Sequence, residues 1–290
     1  QRLLPSYVQA PPIAEQAFLQ ISNTSNFKNQ YSFTFARGVT TQLDKPSQAF
    51  TMLYKSMRQG LESGDRNFAN LALITCLVTY SGDLDILKEL LQYYEENIRQ
   101  YASDKTQEIV RIAESYMLAL QDESKREDFI SIPQAPSSGA SKQQEEDNYG
   151  CVCRLEVAYL SGNYQEALYW AKRGRTNELP LDWIRIRKQR FYESLTLATI
   201  FFEENETERK QIRQAIRLQL RRMKSWRGFH GNTSSAYLIM KAEAERIAGN
   251  RIAAVHRYIA AIGQARVEKY ALMEGIACER LATCYRDDLL

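Results

Sequence analysis

The sequence predicts an all-α chain, a right-handed solenoid of antiparallel helix pairs. Three observations carry this. A Gly followed by Asn or Asp, with a small residue before it, recurs between helical stretches: Ser63-Gly64-Asp65, Ser81-Gly82-Asp83, Ser161-Gly162-Asn163 and Ala248-Gly249-Asn250. Gly just past a helix accepts φ > 0 without a Cβ penalty, and Asn or Asp beside it can cap the next helix. Apolar residues recur at i, i+3, i+4 steps through most of the chain. Apart from short pieces near YSFTF, no segment alternates strongly with period two. One helix pair cannot bury an apolar face alone, whereas stacked pairs share a continuous core. The corners are unevenly spaced, as in a degenerate repeat.

The elements follow in order. Residues 1–27 read as irregular, because Pro5, Pro11 and Pro12 break any long helix and SNTSN is turn-like. Residues 28–122 read as a first helical group. Asp44-Lys45-Pro46-Ser47 has Pro where a helix starts, and Phe50, Leu53, Tyr54, Met57 and Leu61 form the stripe that ends at Gly64. Asn67 to Tyr80, Leu84 to Tyr101 and Thr106 to Gln121 are the next helices. Residues 123–148 read as a linker or long loop, rich in Pro, Ser, Gly and Gln in SIPQAPSSGASKQQEEDN. Residues 149–290 read as a second helical group, with helices over 149–161, 164–174, 181–203, 206–226, 233–248, 251–268 and 270–286.

Composition narrows the function. A net charge of +3 is too small by itself to imply a polyanionic partner. No apolar run approaches the roughly 18–20 residues that span a bilayer, so no membrane insertion is expected. The opening at Gln1 and the helical character of the closing ATCYRDDLL give the expectation of a piece of a longer polypeptide. Cys76, Cys151, Cys153, Cys278 and Cys284 are odd in number and lack framework spacing, which suggests thiols in a reducing, cytoplasmic setting. Cys151-Val152-Cys153 completes no standard zinc pattern with only His230 and His256 available. No phosphate-cradling Gly-x-x-x-x-Gly-Lys-Ser/Thr loop, kinase catalytic loop or histidine-kinase box occurs. Neither an enzymatic activity nor a cofactor nor a metal is therefore expected.

Two stretches are similar to tetratricopeptide repeats. Gly162 takes the corner, Tyr164 the following aromatic and Ala167 the contact Ala, with Trp170 and Ala171 near the later positions. In the last pair Gly249 is the corner, Ala254, Tyr258 and Ala261 follow, and Ile252 holds the place of the aromatic. The phrases GLESGD, AYLSGNYQEAL and RRMKSWRGFHGNTSSAYLIMKAEAERIAGNRIAAVHRYIAAIGQA go further. They resemble the helical region of large bacterial signalling proteins that join a kinase-like domain, a STAND-type ATPase, a tetratricopeptide-like region, a GAF domain and a histidine kinase. The resemblance covers residues 35–120 and 149–288. It implies a sensing or coupling module that binds a protein, peptide or small effector in a concave groove and contacts other domains of its own polypeptide.

The candidate partner-binding residues come from two basic segments. In ETERKQIRQAIRLQLRRMKSWRG, Lys210, Arg213, Arg217, Arg221 and Lys224 form one stripe, opposite Ile212, Ile216, Leu220 and Met223. In LDWIRIRKQRFYESL, Arg185, Arg187, Lys188 and Arg190 accompany Trp183 and Tyr192. Arg suits bidentate carboxylate or phosphate contacts, and Trp anchors interfaces. Trp183, Arg187, Arg190, Arg213, Arg217 and Arg221 are therefore the expected site, for a protein partner or, alternatively, for nucleic acid or another polyanion. The plainer readings are a solvated face for the first segment, and Trp183 and Tyr192 in the core for the second.

Overall fold

The computed structural model describes residues 46–79, 84–132, 148–174, 183–226 and 234–286. The sequence readings over residues 1–45, the Gly82-Asp83 corner, most of the linker and His230 lie outside them. The described residues form twelve α-helices and one 3₁₀ turn, with no strand. In chain order these are α1 (Pro46–Glu62), α2 (Arg66–Thr79), α3 (Leu84–Asn97), α4 (Asp104–Gln121), α5 (Glu123–Ile130), α6 (Asn148–Leu160), α7 (Tyr164–Arg173), α8 (Trp183–Ile200), α9 (Glu206–Trp226), α10 (Ser235–Ile247), α11 (Arg251–Glu268) and α12 (Ala271–Arg286). None is long and apolar enough to cross a membrane.

Three corners share one backbone conformation. Gly64, Gly162 and Gly249 have φ of 75°, 80° and 82°, the left-handed region that only Gly enters cheaply. At two of them the peptide N–H after the Gly closes a six-residue loop: Asn163 N to Ala158 O at 2.9 Å, and Asn250 N to Glu245 O at 2.9 Å. A fourth corner joins α11 to α12 with Lys269 at φ 55° and Tyr270 N on Ala265 O at 2.9 Å. Five residues past each Gly sits a fully buried Ala: Ala69, Ala167 and Ala254. These short side chains let paired helices approach; a Cβ on Gly60 of α1 would lie 3.1 Å from the Ala69 nitrogen of α2.

The capping expectation holds at one corner and fails at two. Asp65 Oδ1 accepts the Phe68 N–H at 3.0 Å. Asn163 and Asn250 make no side-chain cap. Their ψ values of 72° and 62° differ from the extended ψ of 158° and 148° at the capping serines Ser103 and Ser234. Their amides turn back to Ser161 Oγ and Glu245 Oε2 instead.

A second difference concerns residues 123–130, which form helix α5 rather than the start of a linker. Asp122 caps it through Ser124 N, and its last two residues, Phe129 and Ile130, are buried. ESKREDFI has too few apolar residues to announce a helix. Its anchor is tertiary: Trp170 Nε1 of α7 donates to Ile130 O at 2.7 Å.

Each helix packs on its neighbours in chain order, and α2, α4, α6, α8, α10 and α12 also pack on one another in sequence. One apolar cluster runs from Leu53 of α1 to Cys284 of α12, so the two predicted groups share a core. A smaller cluster of Ala198, Ile200, Phe201, Ile212, Ile216 and Ile247 seats α9 on α8 and α10. Helix α8 is central, touching α2, α6, α7, α9 and α10.

Candidate interaction surface

The centrality of α8 decides which predicted residues can meet a partner. Arg185 and Arg190 are buried, and Arg190 Nη1 donates to Gln219 Oε1 of α9 at 3.2 Å. Gln219 Nε2 in turn donates to Glu193 Oε2 at 3.2 Å. Arg190 therefore does not join the exposed arginines of α9, because its guanidinium points into the seam between the helices. Arg187 is half-buried, and Trp183 opens α8 with its side chain outside the described part. Tyr192 is core, 1 % exposed.

Helix α9 is different. Its buried side is Ile212, Ile216, Gln219 and Met223, as an i, i+3, i+4 pattern requires. Lys210, Arg217 and Arg221 stand exposed on the other side, and none of the three makes an ion pair or hydrogen bond among the described residues. Arg213 leaves this stripe: its Nη1 pairs with Glu206 Oε1 at 3.1 Å, and its guanidinium lies 4.9 Å from the Phe201 ring centroid. Leu218, 42 % exposed, is the apolar member of the outer face. Between Glu208 and Trp226 the helix has no carboxylate.

Two buried ionic centres hold this scaffold. In the first, Glu156 of α6 accepts from Tyr116 of α4 at 2.6 Å and Tyr192 of α8 at 2.7 Å, and pairs with Lys188 of α8. Burial, with the Glu156 charge second, pushes both phenols well above their ordinary range. For Lys188 burial lowers the pKa, but Glu156 outweighs it and the net shift is upward. In the second, Glu243 of α10 accepts from Arg280 Nε of α12 at 2.5 Å and from Arg246 Nε at 2.9 Å. Arg246 Nη2 also donates to Ala198 O of α8 at 2.7 Å. Burial raises the Glu243 carboxyl, the two guanidinia overcome it, and the result lies below the ordinary carboxylate value.

An open cleft of about 510 Å³ lies where α4, α5, α6 and α7 meet, lined by Leu118, Lys125, Asp128, Phe129, Arg154 and Trp170 among others. The Arg154 guanidinium is 5.1 Å from the Phe129 ring and 4.9 Å from the Trp170 ring, and its Nε donates to Phe129 O at 3.0 Å. The stacked arginine ties α6 to α5 and α7 and shapes the cleft floor.

No protein-family model, no curated protein and no solved structure matches this chain. Its chemistry is therefore read from its own residues. Burial pushes the Cys153 thiol up to about 12 and Cys76 higher still, which keeps both protonated and poorly nucleophilic at neutral pH. Among the described residues no three His, Cys, Asp or Glu side chains come together as a metal site.

The ionic centres were not evident in the sequence. Glu243 and Arg246 in KAEAERI have the look of an exposed i, i+3 pair. Glu156 had one signal, a lone charge in the otherwise apolar run VCRLEVAYL apart from Arg154. Charges in such runs are buried only with partners. Tyr116, Lys188 and Tyr192 are those partners, 40, 32 and 36 residues away.

Proposed function

We propose that this chain is a non-catalytic helical-repeat interaction module. It is a tetratricopeptide-like, right-handed solenoid of antiparallel helix pairs that acts in the cytoplasm. It binds a protein, peptide or small effector and couples that event to a signalling ATPase, kinase or transcription output, as the resembled signalling proteins do. The observation that carries the reading is the recurrent corner: the same left-handed Gly, followed five residues later by a fully buried Ala, at three places along the chain. The ordered contacts of the even-numbered helices support it. A module of this kind presents long helix faces and needs no catalytic constellation. Population shift between curvatures would transmit the binding event.

The test is affinity capture from native extract with the chain immobilised, followed by identification of retained protein, nucleic acid and small molecules. A specific protein or effector retained above a scrambled-surface control is the expected result. Turnover of a retained molecule by the purified chain would overturn the reading. The polyanion alternative has one supporting observation, Lys210, Arg217 and Arg221 of α9 without a partner among the described residues, and is weakened by burial of Arg185 and Arg190.

A further inference from the structure

Helix α9 carries a stripe of basic side chains that no described residue neutralises. Lys210, Arg217 and Arg221 fall at i, i+7 and i+11, with Gln214 completing the i+4 step, so they share one face. At 1.5 Å per residue the stripe is about 16 Å long. The helix's own carboxylates sit at its start, where Glu206 pairs with Arg213 and Glu208 accepts from Asn205. Toward its C-terminal half the stripe therefore has no acidic counterpart on its own helix. The opposite side of α9 is anchored by Ile212, Ile216 and Met223 and by the Arg190–Gln219–Glu193 chain, so the exposed side chains project from a fixed element.

We infer that this face docks an acidic amphipathic helix of a protein partner. The inference rests on the interaction-module reading above and names the partner class for one face of it. Two features favour a helix over a nucleic-acid backbone. First, an antiparallel helix with Glu or Asp at i, i+4, i+7 and i+11 repeats the spacing of the stripe because it has the same rise per residue. Second, Leu218 is 42 % exposed between Arg217 and Arg221, and an apolar side chain on the partner matches it whereas a phosphodiester chain does not. The charges set orientation and on-rate, and the Leu218 contact adds desolvated area.

The experiment uses the whole chain and a fluorescein-labelled Ala/Leu peptide helix bearing Glu at i, i+4, i+7 and i+11, read by fluorescence anisotropy. Its controls are the same peptide with Gln for Glu, a labelled DNA duplex and a labelled oligo-dT strand. Binding of the Glu peptide is expected at about 50 mM salt, weakening as salt is raised. Arg217→Glu/Arg221→Glu, at exposed positions, is expected to weaken it at least roughly tenfold. A Lys-for-Glu peptide should then bind the charge-reversed variant, which a merely misfolded variant would not do. Leu218→Ser should weaken the Glu peptide without changing its salt slope. Equal binding of Glu and Gln peptides, tighter binding of either nucleic acid than of the Glu peptide, or no binding at all would overturn the inference. If extract capture retains a protein equally on the wild type and the charge-reversed variant, the module reading stands and α9 is not its docking face. If capture retains nothing, the module reading itself fails.

Discussion

Glu243 is a single carboxylate facing two arginines in the core, and its removal leaves charge with nowhere to go. Arg280 and Arg246 are 3 % and 7 % exposed, so Glu243→Gln strands two guanidinia away from water. Losing one side of such a buried pair costs about 3–5 kcal/mol, measurable as a lower urea midpoint at neutral pH. The pH dependence has a definite sign. The folded carboxyl lies below its ordinary 4.5, so its stabilisation is complete above that value and is lost as pH falls through the folded pKa. The gap between wild type and Glu243→Gln should therefore shrink on acidification below about 4.5; a constant gap down to that range and beyond would contradict the pairing. At the other centre, Tyr116→Phe and Tyr192→Phe each remove a hydrogen bond to a buried carboxylate, costing about 1.5–3 kcal/mol. Both act on Glu156, so they should not add. The second deletion leaves Lys188 as the remaining partner among these three and should cost more than the first, as a double-mutant cycle would show.

The corners make predictions of opposite sign. No atom lies within 4 Å of a Cβ built on Gly162 or Gly249, so Gly→Ala there is penalised through φ alone. A cost of about 1–2 kcal/mol each is expected from the left-handed conformation. Lys269 already bears that strain at φ 55°. Lys269→Gly should be stabilising by a few tenths to about 1 kcal/mol once Gly's extra unfolded-state entropy is subtracted. Denaturation midpoints of the three variants test both signs together, and a Gly249→Ala protein as stable as wild type would show that the corner is not strained. The same contrast explains what could be read from sequence. Corners with Gly were legible because one residue type answers one backbone need. The α11–α12 break was read at residue 269, but its left-handed conformation was not, since nothing in Val-Glu-Lys-Tyr signals it. Helix α5 was equally hidden, being held by Phe129, Ile130 and Trp170 rather than by its own pattern. The exposed Lys210, Arg217 and Arg221 of α9 were legible, because an outer helix needs only one apolar side and shows the other as charge, whereas the turn of Arg213 toward Glu206 was not.

For the whole molecule the least legible feature was α8, and it is the one that joins the parts. A helix buried on nearly every side usually reads as uniformly apolar. Here the buried set includes Arg185, Gln189, Arg190, Glu193, Ser194 and Thr196, which in sequence suggest a wet surface. Their neighbours are supplied by distant helices, so no local pattern encodes the burial. The same long-range contacts bind α1–α5 to α6–α12 across residues 131–147. Tyr116 reaches Glu156, Arg154 reaches Phe129 O, Trp170 reaches Ile130 O, and α2 touches α8. A covalent connection between the groups is then unnecessary for their association once folded. With a protease site inserted between residues 139 and 140, the cut protein should elute as one species and unfold in one transition. The cut halves should separate only in denaturant, since parting them exposes Glu156 without Tyr116 and uncovers the shared apolar cluster. Two independent transitions, or two eluting species under native conditions, would mean that each group has its own core and that α8 serves only the second.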